Sequence, residues 1–251
     1  MRALQFTKMQ GLGNDFVVVE GPVELATSDI RELCDRRRGI GADGVLVITQ
    51  GDPIRMDYWN ADGSPAEMCG NGLRCIARYA YDRGWAPDRN FAIQTAVGMR
   101  AVKVGDGDVE VDLGRLRVTG HTGIDGERFH LVDAGNPHAV VIVDDPEQVD
   151  VGTVGPRVGK DEQFPDGTNV EFVAVADGEV TMRVWERGVG ETLACGTGMV
   201  AAAFVATKTH GLDGAIPVNV PGGQGRVEFR DGVAWLSGPA DYSFRGSVGA
   251  R

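Results

Sequence analysis

Two cysteines stand in matching company. Cys69 opens the run Cys-Gly-Asn-Gly, Cys195 opens Cys-Gly-Thr-Gly, and a segment with helical character follows each. Glycines at such a point let the backbone approach a ligand closely. The N–H groups of a first helical turn, with the positive end of the helix dipole, form an anion site. The same field favours a thiolate: a free cysteine ionises near about pH 8.5, and a helix N-terminus can lower that by a unit or more. Two such termini pointing into one cleft would hold a carboxylate and tune two thiols together. That combination suits inversion at the α-carbon of an amino acid, with a thiolate removing the proton from one face while a thiol delivers one to the other. Preorganised backbone N–H groups would meet the charge developing on the carboxylate, and a placed acid and base would add a factor of about 10²–10⁴.

Nothing marks any of the lysines, Lys8, Lys103, Lys160 and Lys208, as a Schiff-base site, so no pyridoxal phosphate or other cofactor is expected. The cysteines include no CxxC or zinc-ribbon spacing, and no metal is expected either. Cys34 and Cys75 read as ordinary buried thiols, Cys75 lying well into its helix and away from the dipole end.

The elements that must position the two thiols repeat along the chain. MDYWNADGSPAEMCGNG, from Met56, aligns without a gap with MRVWERGVGETLACGTG, from Met182. Met56, Trp59, Cys69, Gly70 and Gly72 then match Met182, Trp185, Cys195, Gly196 and Gly198. Upstream, GLGNDFVVV around Asn14 echoes DAGNPHAVV around Asn136, and GADGVLVI echoes DGTNVEFV, pairing Val45 with Val170. Three echoes in one order at nearly constant spacing indicate an internal duplication joined near Leu116 to Gly126. A cleft between the halves would be the place for a ligand.

Short runs bounded by Gly, Asp or Pro predict strands at Phe16–Val19, Val45–Ile48, Ile54–Trp59, Val109–Leu113, Ala139–Val143, Val170–Val175, Val180–Trp185, Arg226–Phe229 and Val233–Leu236. Leu73, Ile76, Ala77 and Ala80 have helical spacing, with Arg74 and Arg78 on another face. Met199 to Ala206 is almost wholly apolar and predicts a short helix buried on all sides. Trp59 and Trp185 read as matching core residues.

The 251 residues carry a net charge of −11, with acidic residues scattered, which argues against a nucleic-acid partner. No apolar run approaches the roughly 20 residues a membrane helix needs, and the N-terminus lacks the regions of a signal peptide. A cytoplasmic enzyme acting on a small molecule is the expectation.

The segments KMQGLGNDFVVV, NADGSPAEMCGNGLRCIARY, GNPHAVV, GTNVEFV and ERGVGETLACGTGMVAAA, in that order, resemble the diaminopimelate epimerases, and the resemblance covers essentially the whole chain. It implies interconversion of LL- and meso-diaminopimelate, in the route to lysine and peptidoglycan, and often a homodimer. It implies an α/β fold of the α+β type: two pseudo-symmetric halves, each a curled, mostly antiparallel sheet around a central helix. The halves would be 1–117, carrying Cys69 with 241–251 returning to it, and 118–240, carrying Cys195. By the same resemblance Cys69 and Cys195 are the acid/base pair, and the N–H groups of Gly70, Asn71, Gly196 and Thr197 bind the reacting carboxylate. Asn14, His138 and Glu186 lie near the reacting centre and its amino group; Asn60, Asn136, Asn169 and Arg187 grip the distal end. Gly44 departs from the pattern, standing where some relatives carry a side chain such as Gln.

Two other readings compete. Proline racemases and hydroxyproline epimerases share the duplicated fold, but tend to place a His after the first Cys-Gly, where this chain has Asn71, and proline would leave Arg187 without a distal carboxylate. A thiol redox sensor or ligand-binding protein would change state with redox potential yet exchange no substrate proton.

Overall fold

The computed structural model describes residues 3–66 and 68–249. It divides into two units, Met1–Val111 with Gly238–Arg251, and Asp112–Ser237. Of the segment 241–251 expected to return to the first half, residues 250 and 251 lie outside the described residues.

The first unit runs β1 (Leu4–Gly11), β2 (Asn14–Glu20), α1 (Thr27–Cys34), β3 (Gly44–Thr49), β4 (Ile54–Asn60), α2 (Gly70–Asp82), β5 (Asn90–Thr95), β6 (Gly98–Val104) and β7 (Asp108–Arg115). The second continues through β8 (Arg117–Ile124), β9 (Glu127–Asp133), β10 (Pro137–Ile142), α3 (Val151–Gly159), β11 (Asn169–Ala176) and β12 (Glu179–Glu186). It is completed by β13 (Gly190–Thr192), α4 (Gly196–His210), β14 (Ile216–Val220), β15 (Gly223–Arg230) and β16 (Val233–Pro239), whose last two residues, Gly238 and Pro239, belong to the first unit. The last strand, β17 (Asp241–Val248), pairs antiparallel with β1 in the first unit.

Strand pairing gives the first unit the order β17-β1-β2-β3-β4-β5-β6-β7. The second has β8-β9-β10-β11-β12-β14-β15-β16, with β13 also against β12. Each order contains two parallel steps among antiparallel ones, β2–β3 and β4–β5 in one unit and β10–β11 and β12–β14 in the other. A parallel step needs a crossover connection, usually a helix. α1 and α2 supply the two crossovers in the first unit, α3 and α4 those in the second. The four helices and their order therefore follow from the duplicated pairing scheme.

The sheets curl because of what they enclose. α2 packs against β1, β2, β3, β4 and β6, and α4 against β9, β10, β11, β12, β14 and β15. Six strands laid flat would span about 24 Å, while a helix is only about 10 Å across, so each sheet bends round its helix. The outer faces of β2 and β3 bury Val17, Val19, Val45 and Val47 against Ile30, Leu33 and Cys34 of α1, with Trp59 packed alongside. The matching cluster joins Ala139, Val141, Val170 and Phe172 to Val151 and Val158 of α3, with Trp185 alongside. Covered on both faces, these strands read as continuous apolar runs.

One expectation needs correction. Arg74 was placed by spacing on a face of α2 away from the apolar one, yet it is fully buried. At Arg74 the enclosed helix has no solvent face, whereas Arg78, one turn on, is partly exposed. The guanidinium fits because Gly11 and Gly238 have no side chain where it lies, and its Nε donates to Pro239 O at 3.2 Å. The second central helix is also longer than Met199 to Ala206, extending through Gly196–His210 to Gly211 in the left-handed conformation that ends it.

Candidate active site

Cys69 and Cys195 are the N-cap residues of α2 and α4, both with extended backbone (φ −145°, ψ 109° and φ −118°, ψ 114°). Each sulfur accepts a hydrogen bond from the third residue of its helix, Gly72 N–H at 3.3 Å and Gly198 N–H at 3.4 Å. A thiol in the N-cap position thus takes the place of the usual Ser or Asp oxygen. The donated N–H stabilises sulfur in its anionic form. Gly70 and Asn71, and Gly196 and Thr197, occupy the first two helical positions, so their N–H groups head the helix ends. The buried first turns of both helices require the N3 glycines: a Cβ at Gly72 would meet a Leu46 methyl at 3.1 Å, and one at Gly198 would meet Glu171 Oε1 at 2.9 Å.

Each sulfur also faces an acceptor that suits its protonated form. The Cys69 thiol donates to Asn14 Oδ1 at 3.7 Å, and Asn71 Nδ2 donates to the same oxygen at 3.2 Å. The amide cannot turn round, because Asn14 Nδ2 donates to Asp43 Oδ2 at 2.6 Å and a carboxylate only accepts. Asp43 is itself held by Arg36 Nη2 at 2.9 Å, and Arg36 and buried Lys8 both pair with Asp15. Burial pushes the Asp15 carboxyl up, but its hydrogen bonds to Arg36 and Lys8 outweigh that and hold it below the usual range.

In the second unit, half-buried Glu186 accepts a hydrogen bond from Thr192 Oγ1, and its charge acts on Cys195. Burial raises the Glu186 carboxyl, partly offset by Thr192 and Cys195. Cys195 is only 5% exposed and lies 3.4 Å from Thr197 Oγ1. Burial, then the charges of Glu186 and Glu171, push its thiol well above the ordinary value. The expectation that a helix N-terminus lowers a thiol pKa is therefore reversed at Cys195: desolvation and two carboxylates outweigh the dipole. Cys34 and Cys75 are pushed by burial to about 11 and about 12, values that keep them as inert thiols.

His138 is fully buried, with Nδ1 2.6 Å from Glu171 Oε1 and Nε2 2.9 Å from Asn136 Oδ1. Asn169 Nδ2 donates to Pro137 O, and its Oδ1 accepts from Arg187 N–H, each at 2.9 Å. The exposed Arg187 guanidinium touches Asp166 O at 3.2 Å. Asn60 stands apart from these contacts, donating to Ser64 Oγ at 3.1 Å, and pairs in register with Gly44. No side chain fits at Gly44, where a Cβ would meet Trp59 O at 2.4 Å and Tyr58 Cε2 at 2.5 Å. The first unit thus gathers Asn14, Cys69 and Asn71; the second gathers Asn136 with His138, Asn169 with Arg187, and Cys195 with Glu186 and Thr197.

Three participants were not inferred from sequence: Asp43, Thr192 and Glu171. Glu171 carried a signal, being an acidic residue inside the apolar run Val170–Val175, opposite Leu46 in the internal alignment.

A sequence model described as diaminopimelate epimerase matches residues 6–119 and 130–242. The diaminopimelate epimerase of Desulfitobacterium hafniense is 38% identical, the alignment covering 97% of both chains. Among solved structures, a phenazine biosynthesis protein of the PhzF family from Bacillus anthracis superposes with a TM-score of 0.78 over 100% of both chains at 15% identity. A probable proline racemase from Agrobacterium radiobacter gives a TM-score of 0.75 at 15% identity, over 99% of this chain and 93% of that one.

Proposed function

The chain belongs to the diaminopimelate epimerase family, and from that premise we propose that it interconverts LL-2,6-diaminopimelate and meso-diaminopimelate with Cys69 and Cys195 as the acid/base pair. The observation that carries this reading is the shared environment of the two sulfurs. Each caps a buried helix, each accepts an N–H suited to a thiolate, and each has an oxygen that can accept from a thiol, Asn14 Oδ1 for Cys69 and Thr197 Oγ1 for Cys195. A group that must give a proton in one direction and take it in the other needs both.

In the proposed cycle a thiolate at one cysteine takes the α-proton, electron density moves into the carboxylate, and the other cysteine's S–H delivers a proton to the opposite face. Gly70, Asn71, Gly196 and Thr197 meet the carboxylate charge with backbone N–H groups. Asn14, His138 and Glu186 serve the reacting centre and its amino group, and Asn60, Asn136, Asn169 and Arg187 the distal amino-acid end. The route needs no cofactor. Closing the site to water would protect the carbanion-like species from non-stereospecific quenching. We place the enzyme in the cytoplasm, with its biosynthetic substrate, and take it to act as a homodimer, as the family resemblance implies. Among the described residues no helix is long and apolar enough to cross a membrane.

Substrate choice separates this enzyme from fold relatives acting on proline. Given LL-diaminopimelate, meso-diaminopimelate, L-proline and trans-4-hydroxy-L-proline in turn, followed by chiral chromatography, it is expected to turn over only the first two. Turnover of a proline and not of diaminopimelate would overturn the assignment.

A further inference from the structure

The two units solve one packing problem in opposite ways. Beneath the first turn of α2 lies Leu46, with Phe16 on the neighbouring strand β2, both fully buried and apolar. The internal alignment matches them with Glu171, which lies beneath the first turn of α4, and His138 on the neighbouring strand β10, both with side chains wholly out of solvent. Glu171 Oε1 is 2.6 Å from His138 Nδ1, and Glu171 Oε2, equally buried, has no hydrogen-bond partner among the described residues. A buried carboxylate–imidazole pair with an orphaned oxygen is poor stabilisation, since apolar residues of similar volume commonly do as well or better. The first unit does use apolar residues there. Stability therefore does not explain the pair.

Its position relative to Cys195 supplies a reason. At Gly198 a Cβ would meet Glu171 Oε1 at 2.9 Å, Cys195 Cβ at 3.3 Å and Cys195 Sγ at 3.4 Å, so carboxylate and sulfur flank the same glycine. The groups facing Cys195 are Glu171 from β11, Glu186 from β12, Thr197 from α4 and, through Glu171, His138 from β10. Two carboxylates and one imidazole leave a net charge of −1 even with the imidazole protonated, so a thiolate at Cys195 would be a second uncompensated buried anion.

We propose that Glu171 is a positioning residue, which fixes the His138 ring through Nδ1 and, from beneath the first turn of α4, keeps Cys195 a thiol in the resting enzyme. Cys195 then begins as the proton donor, and inversion initiated from its own face must first move that proton away. No equivalent anion lies at Leu46, so this control belongs to one unit only. The proposal rests on the reading of Cys195 as one of the catalytic pair.

The test is alkylation of the whole enzyme by iodoacetamide across a pH series, read peptide by peptide by mass spectrometry, alongside kcat and KM. In Glu171→Gln, which keeps the size and a hydrogen-bonding group but removes the charge, the Cys195 midpoint should fall by about one pH unit or more. The Cys69 midpoint should stay, and kcat should drop about tenfold with KM little changed. Glu171→Asp keeps the charge and should hold the Cys195 midpoint near that of the wild type. A purely structural role predicts the reverse ranking, with the isosteric Gln better tolerated than the shorter Asp. An unmoved Cys195 midpoint in Glu171→Gln overturns the proposal. If that variant does not fold, Glu171→Leu, carrying the residue of the matching position in the first unit, decides: a lowered Cys195 midpoint supports the proposal and an unmoved one overturns it. Cys195→Ser separates the two claims, since an active Cys195→Ser enzyme refutes the catalytic reading itself, whereas an inactive one with an unmoved Glu171→Gln midpoint refutes only the role of Glu171.

Discussion

Cys69→Ser and Cys195→Ser should each fold normally and each lose epimerase activity by about 10³-fold or more. The pairing of those two results is informative because both thiols are N-caps. Serine is a preferred N-cap and its oxygen can accept from Gly72 or Gly198 N–H as sulfur does. The thermal midpoint should therefore stay or rise. The hydroxyl does not ionise in the accessible range and cannot serve as the carbon base, so turnover fails while the helix stays capped. Alanine at either position should lose activity equally and also lose about 1 kcal/mol of cap stability. Cys34→Ala and Cys75→Ala are the controls. Both thiols are buried and held far above neutral pH, so these variants should show a lowered thermal midpoint with kcat within a few-fold of wild type. A Ser variant at 69 or 195 with near-normal turnover would refute the two-base pair. A folded Cys75→Ala enzyme without activity would mean the wrong cysteine had been chosen.

Arg187→Ala should raise KM for LL-diaminopimelate by about 100-fold, with a smaller effect on kcat. A guanidinium holding the distal carboxylate makes charge-assisted bonds of about 1.5–3 kcal/mol, and each 1.4 kcal/mol is about tenfold in affinity. The loop should survive the change, because it is the Arg187 backbone N–H that Asn169 accepts, and the side chain adds only the contact to Asp166 O. Arg187→Lys should recover part of the loss as a point charge without the planar fork. Steady-state kinetics on the three proteins check this. An unchanged KM in Arg187→Ala would leave the residue as a surface charge and remove the argument that separates diaminopimelate from proline.

The duplication was legible because it repeats chemistry as well as shape: Cys-Gly-x-Gly, an Asn before a strand, and Met and Trp at fixed distances. Strands buried on both faces, such as β2, β3 and β11, announced themselves as apolar runs. α3 did not, since VGTVGPRVG carries Gly and Pro, poor helix formers, and is helical because it must cross between the parallel strands β10 and β11. β17 escaped too: most of its residues are exposed and it is held chiefly by pairing with β1, a long-range contact that leaves no local pattern. At the site, residue types and order were readable, but charge balance was not. The helix dipole argued for an easily ionised Cys195; burial and the convergence of Glu186 and Glu171 from neighbouring strands push its thiol the other way. Asp43 was hidden for a related reason, since its action on Cys69 passes through the Asn14 amide, and no spacing reveals which way an amide points.

The most direct test of the two-thiol account is NMR of the fully reduced enzyme with LL-diaminopimelate in D₂O and no added cofactor. With one thiol on each face, the meso product should carry solvent deuterium at the inverted α-carbon from the first turnovers, while the remaining LL substrate gains far less. Meso product that retains its original proton would point to a single base carrying it from face to face, and a folded, reduced enzyme that exchanges no α-proton would contradict the epimerase reading altogether.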